Sequence, residues 1–242
     1  DGALHALFVG NYPKVLVLEM GVDRPGDMKR LTSWIKPDIV VNCAACVNAD
    51  MCGRDKETAY KINYTGNNNL LQLSKKYKSY FVFISSYYVF DGSVKYYGEE
   101  MAPTPINYYG VTKTISEVAT SMYSNSLRIR ASKIFSLGYD GRNLIARAYY
   151  SLINGKKLMA ANDQFNNPLD ADSLAKSITK LINLKRFGVY NIGGEDCVSN
   201  YELARSFANF FKLRQSLIKP IKTEKSSQAA QRPRHAFLEI GK

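Results

Sequence analysis

Three short runs carry almost no polar residue: "DIVVNCAA" (38–45), "YFVFISS" (80–86) and "KVLVLEM" (14–20). A strand that is apolar on consecutive positions, not alternate ones, must be covered on both faces. Between such runs the chain supplies patterns of helical period: 27–35, 57–77, 109–123, 143–155, 173–184 and 200–213. Further strands are predicted at 126–134 and 188–194, and Ser199 or Asn200 is predicted to cap the helix that opens at 200. The alternation predicts an α/β fold: a doubly wound, Rossmann-like parallel sheet with a smaller C-terminal α/β substrate lobe. The dinucleotide-binding domain is placed at 1–132 and completed by about 169–194. The substrate lobe is placed at 133–168 and 195–242. Residues 214–235 read as a polar, strand-poor loop or lid. The start "DGALHALFVG" reads as the interior of a longer sequence.

The formal charge of +12 admits a nucleic-acid surface, a solvated basic exterior, or an enzyme whose ligands carry phosphates. The basic residues are spread along the chain and no nucleic-acid-binding signature accompanies them, so no nucleic-acid partner is assigned. No apolar run reaches the length of a membrane span, and no membrane partner is assigned. Cys43 and Cys46 have C-x-x-C spacing, but no second pair follows and His5 and His235 are distant. Small buried thiols in a reducing, cytoplasmic setting are expected, with no metal.

In this fold ligands sit at the carboxyl ends of the strands. Polar clusters fall there at "NCAA" (42–45) and "SSYYVFDG" (85–92), and "INYYGVTKTISE" (106–117) soon follows. Tyr109 and Lys113 are four apart and share a helix face. An ammonium beside a phenol favours the phenolate and lowers the phenol pKa, which suits it to proton transfer near neutrality. On its own the Tyr-x-x-x-Lys spacing is weak evidence; 17 Tyr and 33 Lys+Arg generate it by chance.

Ordered blocks around the pair are far more specific. "PDIVVNCAACVNADMC", "AYKIN", "FVFISSYYVFDG", "YGEEMAPTPINYYGVTKTISE", "NNPLDADSLA" and "QRPRHAFLEIGK" together resemble an extended short-chain dehydrogenase/reductase, over nearly the whole chain. Within that superfamily the chain is most similar to the dTDP-4-dehydrorhamnose reductase branch. The resemblance implies NADPH or NADH as cofactor, a nucleotide-sugar substrate and reduction of a 4-keto group. A homodimer is an option it leaves open. It gives Ser86 the Ser/Thr position, Tyr109 the acid, and Lys113 the partner that also binds the nicotinamide ribose. Cofactor contacts fall on Gly2, Leu4, Glu19, Asp23, Ala44, Ala45 and Asn63. Substrate contacts fall on Val89, Phe90, Asn167 and Arg232. Glu19 and Asp23 read equally as solvated carboxylates, and Arg232 equally as a loop residue or a contact to substrate phosphate.

The chain departs from the family pattern at three places. His5 stands where the third glycine of the phosphate loop is expected. Tyr87 replaces the acid that usually follows the Ser/Thr. Lys133 replaces an aromatic. These departures support an alternative: a cofactor-binding regulatory subunit with little activity, like that of methionine adenosyltransferase. Another sugar-nucleotide reductase or epimerase is a third option.

Overall fold

The structure, a computed structural model, describes residues 36–137 and 143–242 and, before them, the strand Val15–Leu18. The 27–35 helix, Gly2, Leu4, His5, Glu19 and Asp23 lie outside the described residues.

Five parallel strands form the central sheet: β1 (Val15–Leu18), β2 (Ile39–Asn42), β3 (Tyr80–Ser86), β5 (Ser126–Ala131) and β10 (Gly188–Ile192), side by side in that order. Consecutive apolar residues on these strands serve opposite faces. Val40, Phe81 and Phe83 pack with Leu70 and Leu71 of helix α3 (Gly66–Tyr77), joined by Ala119 of helix α4 (Tyr108–Ser121). Val41, Val82, Leu127 and Ile129 pack on the other face with Leu174, Ile178, Leu181 and Ile182 of helix α6 (Ala171–Asn183). Burial on both faces is why the runs lack polar breaks, and it makes the sheet doubly wound.

The helix expected over 57–77 is interrupted. After α1 (Ala49–Arg54) and α2 (Lys56–Tyr60), residues Lys61–Thr65 form a π turn before α3 begins. Such turns are frequent at functional sites; this one carries the buried Asn63.

The smaller sheets gather the downstream chain. Strand β7 (Leu158–Ala161) pairs in parallel with β12 (Ile218–Ile221), backed by helices α5 (Leu144–Ile153) and α7 (Asn200–Phe210). Strand β12 falls inside the stretch expected to be a strand-poor loop. A second sheet runs β11 (Val198–Ser199), β8 (Phe165–Asn166), β13 (His235–Leu238) and β4 (Tyr96–Tyr97). The remaining pair is β6 (Ile134–Phe135) with β9 (Leu169–Asp170). Ser199 caps α7 through a reciprocal capping box with Glu202. Among the described residues no helix is long and apolar enough to cross a membrane.

Candidate active site at the carboxyl edge of the sheet

Ser86 is the last residue of β3 and lies in register with Ala131 at the end of β5. Its hydroxyl caps the short turn Tyr87–Val89 by accepting from the Tyr88 amide at 3.3 Å. Helix α4 starts one turn before Lys113, with Asn107 as its cap: the Asn107 carboxamide oxygen accepts from the Gly110 amide at 2.9 Å. The same side chain donates to the Gln231 carbonyl at 2.9 Å, which pulls the C-terminal segment over the helix start. Gly110 lets the Tyr87–Val89 turn touch the helix. A Cβ there would lie 2.1 Å from the Tyr88 carbonyl oxygen. This close approach sets Ser86 beside Tyr109, near enough for its hydroxyl to act on the phenol.

Tyr109 and Lys113 are both buried. Burial drives the Tyr109 phenol well above its ordinary pKa; the Ser86 hydroxyl pulls it down, and Tyr88, Cys52 and Cys46 push it further up. The net direction is therefore opposite to the lowering expected from Lys113: burial is the largest influence, and Lys113 is not among the groups that weigh most on the phenol. The Lys113 ammonium rests 4.4 Å from the Phe83 ring centre. Burial lowers its pKa to about 8, against an opposing pull from Glu117. Glu117, one turn further along α4, is engaged elsewhere. It takes a bifurcated and bidentate contact from Arg130 at 3.0–3.2 Å. Arg130 also donates to the carbonyls of Glu99 and Met101. No hydrogen bond to the Lys113 ammonium is formed among the described residues, so its donors are available to a ligand.

Asn63 joins the loop after β2 to α4. Its carboxamide accepts from the Cys46 amide at 2.7 Å and donates to the Cys46 carbonyl at 3.1 Å and the Thr112 hydroxyl at 2.9 Å. Ser116 donates to the Asn63 carbonyl at 3.0 Å. Asn42 fixes the start of the same loop by accepting from the Ala44 amide at 3.1 Å and donating to Asn67 at 2.9 Å. Ala44 and Ala45 are half-buried and have no bulk beyond Cβ. The loop thus offers a ligand its backbone, next to an ammonium that lacks a hydrogen-bonding partner. These features fit the ribose hydroxyls and the flat ring of a dinucleotide.

The structure brings Ser86, Tyr109, Lys113, Asn63, Ala44 and Ala45 to one edge. It does not bring all the expected substrate contacts there. Val89 and Phe90 are fully buried among Tyr87, Tyr97, Ala236 and Leu238, and Phe90 stacks on Tyr97. Asn167 is also fully buried. It donates to the carbonyls of Gly194 and Leu238 and accepts from the Leu238 amide at 3.1 Å. These three side chains hold the fold, which corrects the expectation that they face a substrate. Arg232 does lie near the site. It stands 5.9 Å from the Tyr88 ring centre and pairs with Asp50 at 3.1 Å. Tyr87, the departure beside Ser86, is buried in the same apolar cluster as Val89. Lys133 donates to the Asn200 side chain; burial lowers its pKa to about 8, and the nearby charges of Arg232 and Arg147 push the same way.

Sequence reasoning missed the hydroxyl ladder of α4. Thr112, Ser116 and Thr120 each bond a carbonyl three or four residues back, and Thr112 and Thr120 also accept from Asn63 and Asn67. Their spacing of four was the available signal.

A strand-end hydroxyl beside the tyrosine of a Tyr-x-x-x-Lys helix, on a doubly wound parallel sheet, defines an extended short-chain dehydrogenase/reductase. The chain belongs to the family described as RmlD substrate binding domain, whose profile matches residues 4–242. Among solved structures it is similar to dTDP-4-dehydrorhamnose reductase from Bacillus anthracis in complex with NADP. That chain is 26% identical, with a TM-score of 0.82 over 88% of this chain and 75% of the other. A hypothetical dTDP-4-dehydrorhamnose reductase from Sulfolobus tokodaii is 34% identical, with a TM-score of 0.78 over 88% and 76%. Among curated proteins, methionine adenosyltransferase 2 subunit beta from Pongo abelii is 28% identical over 86% of this chain. The chain spans 64% of that relative's length. The spore coat polysaccharide biosynthesis protein SpsK from Bacillus subtilis is 28% identical over 84% of this chain and 71% of its own length.

Proposed function

We propose that the protein is an NAD(P)H-dependent oxidoreductase that reduces a nucleotide-linked 4-keto sugar, in the manner of a dTDP-4-dehydrorhamnose reductase, in the cytoplasm. The observation that carries this is the placing of Ser86 beside Tyr109 on the helix that also holds the buried Lys113 ammonium, to which no hydrogen bond is formed among the described residues. A bound dihydronicotinamide would supply the hydride. Lys113 and the backbone at Ala44 and Ala45 would hold that cofactor, with Asn63 keeping the loop in place. Ser86 would donate a hydrogen bond to the ketone oxygen and orient it. Tyr109 would deliver its phenolic proton to that oxygen as it gains negative charge. The resulting phenolate would be stabilised by the Lys113 ammonium, against the penalty that burial places on a charged tyrosine. Arg232 would meet a phosphate of the sugar nucleotide.

The test is hydride transfer from NADPH and NADH to a dTDP-linked 4-keto-6-deoxyhexose, monitored as loss of reduced-nicotinamide absorbance. Tyr109→Phe is expected to lower kcat by at least about 100-fold, the scale of a lost general acid, with cofactor affinity nearly unchanged. Full activity in that variant would end the proposal.

The similarity to methionine adenosyltransferase 2 subunit beta favours a second reading, a cofactor-binding regulatory subunit. Dinucleotide binding without reduction of any 4-keto sugar, together with stable association with a methionine adenosyltransferase catalytic subunit, would select it.

A further inference from the structure

The C-x-x-C spacing pairs Cys43 with Cys46 on paper, but the fold pairs Cys46 with Cys52. The Cys52 thiol lies 3.5 Å from the Cys46 sulfur and 3.2 Å from the Cys46 carbonyl oxygen. Cys43 is exposed, at the end of β2. Cys52 sits in the first full turn of α1, where its amide bonds the Asn48 carbonyl, so the chain turns back and lays Cys46 against it. Cys46 is half-buried, whereas Cys52 has no exposed surface. Both lie in one cluster with Ala49, Ala59 and Tyr109.

We propose that Cys46 and Cys52 are a redox-modification site that takes hydrogen peroxide and closes to a disulfide beside Tyr109, switching the site off. The more accessible Cys46 thiolate attacks the peroxide. Its sulfur gains one oxygen, the O–O bond breaks, and the other oxygen leaves as water after protonation. The Cys52 sulfur then attacks the Cys46 sulfenic acid. The S–O bond breaks, the Cys52 proton leaves with that oxygen as a second water, and the S–S bond forms. The two thiols are oxidised and the peroxide is reduced by two electrons. Burial pushes the Cys52 thiol up to about 12, with the Cys46 contact adding to it, so Cys52 stays a protonated thiol and Cys46 is the one that meets the peroxide first.

The pair is placed to matter. The backbone amide and carbonyl of Cys46 are both held by Asn63, which also bonds Thr112, one turn from Tyr109. Bringing two sulfurs from van der Waals contact to bonding distance moves Cys46 against that hold and draws Cys52 across the face on which Tyr109 packs. A displacement of this size at a reacting group is expected to lower turnover by about 100-fold.

The bond can be tested without reference to activity, and its effect on turnover rests on the reductase reading. The full chain is treated with hydrogen peroxide and blocked with N-ethylmaleimide. It is then cleaved on the amino side of Asp50, which separates Cys46 from Cys52. The expected result is two linked peptides carrying Cys46–S–S–Cys52, released by dithiothreitol. The link persists in Cys43→Ser and is absent in Cys46→Ser and Cys52→Ala. Four blocked thiols after peroxide, or a Cys43–Cys46 link, would overturn the site whatever the protein catalyses. In the reductase assay, peroxide should lower turnover about 100-fold in the unsubstituted protein, with recovery in dithiothreitol, and should spare Cys52→Ala. A link that forms without loss of turnover overturns the switch.

Discussion

At the scale of single residues the site is built from groups that cost stability to bury. Lys113 is the plainest case. Burial holds its pKa down at about 8, against an ordinary value of 10.5, so below that pH the folded state carries an ammonium that water would solvate better. The sign follows from linkage. The folded-state pKa lies below the unfolded one, so stability is full above about pH 10.5 and is lost as pH falls towards about 8. Below about 8 the penalty is constant. Lys113→Met removes it and keeps the side-chain length. The variant is expected to be more stable than the parent by roughly 3 kcal/mol near neutrality, at about 1.4 kcal/mol for each tenfold change in proton affinity, and to lose turnover. Urea unfolding of both proteins at pH 7 and above pH 10 checks this; the stability gap should shrink at the higher pH. Ser86, Tyr109 and Lys113 could be singled out in the sequence because the chemistry proposed for them fixes their spacing and order, and the fold brings them to one edge. Val89, Phe90 and Asn167 were misplaced for a related reason. A resemblance transfers positions along the chain, but which way a side chain points depends on local packing, here around Tyr97 and Leu238.

At the scale of elements, the strands were the most legible part. A two-sided parallel strand is apolar on consecutive positions, as β2 is over Ile39–Val41 and β3 over Tyr80–Ile84, whereas β5 alternates Leu127 and Ile129 with Arg128 and Arg130. The π turn at Lys61–Thr65 was not legible, since one extra residue in a helical turn barely alters the hydrophobic period. Nor was the contact between α4 and the Tyr87–Val89 turn, which depends on a missing Cβ. That contact makes Gly110→Ala a sharp test. The added carbon would sit 2.1 Å from the Tyr88 carbonyl and 2.9 Å from Pro105 Cβ. Backbone must move, so a loss of about 3 kcal/mol is expected. Ser86 and Tyr109 should also separate, with kcat falling about 100-fold. Gly53→Ala is the control. It lies in α1 with nothing within 4 Å of the new Cβ, so it should gain about 0.5–1 kcal/mol from helix propensity. Thermal unfolding and turnover of the two variants compare them directly; equal Tm values would remove the contact from the account.

At the scale of the whole molecule, the C-terminal segment closes the site from outside the sheet. Strand β12 was unreadable locally because "IKPI" is short and its two isoleucines are separated by a lysine and a proline; its partner β7 lies far away in sequence, and only that pairing makes it a strand. The following residues return to the central sheet's edge. Ala230 donates its amide to Asp50 at 2.7 Å, Arg232 pairs with the same carboxylate, and the Gln231 carbonyl takes the Asn107 carboxamide. Burial raises the Asp50 pKa, but the Ala230 amide and the Arg232 charge outweigh it, and the net direction is down. An acid with a lowered folded-state pKa contributes stability that is present above its unfolded value near 3.8 and is lost as pH falls further. One carboxylate on α1 therefore anchors a segment 180 residues later in the chain. A double-mutant cycle with Asp50→Asn and Arg232→Met should return a coupling of about 1–2 kcal/mol in unfolding free energy. The two single variants should part company in catalysis. Asp50→Asn loosens the anchor but leaves the guanidinium, whereas Arg232→Met also removes the charge proposed to meet a substrate phosphate. KM for the nucleotide sugar should therefore rise more in Arg232→Met, with kcat similar in both. If the two variants raised KM equally, Arg232 would be an anchor for the segment and nothing more.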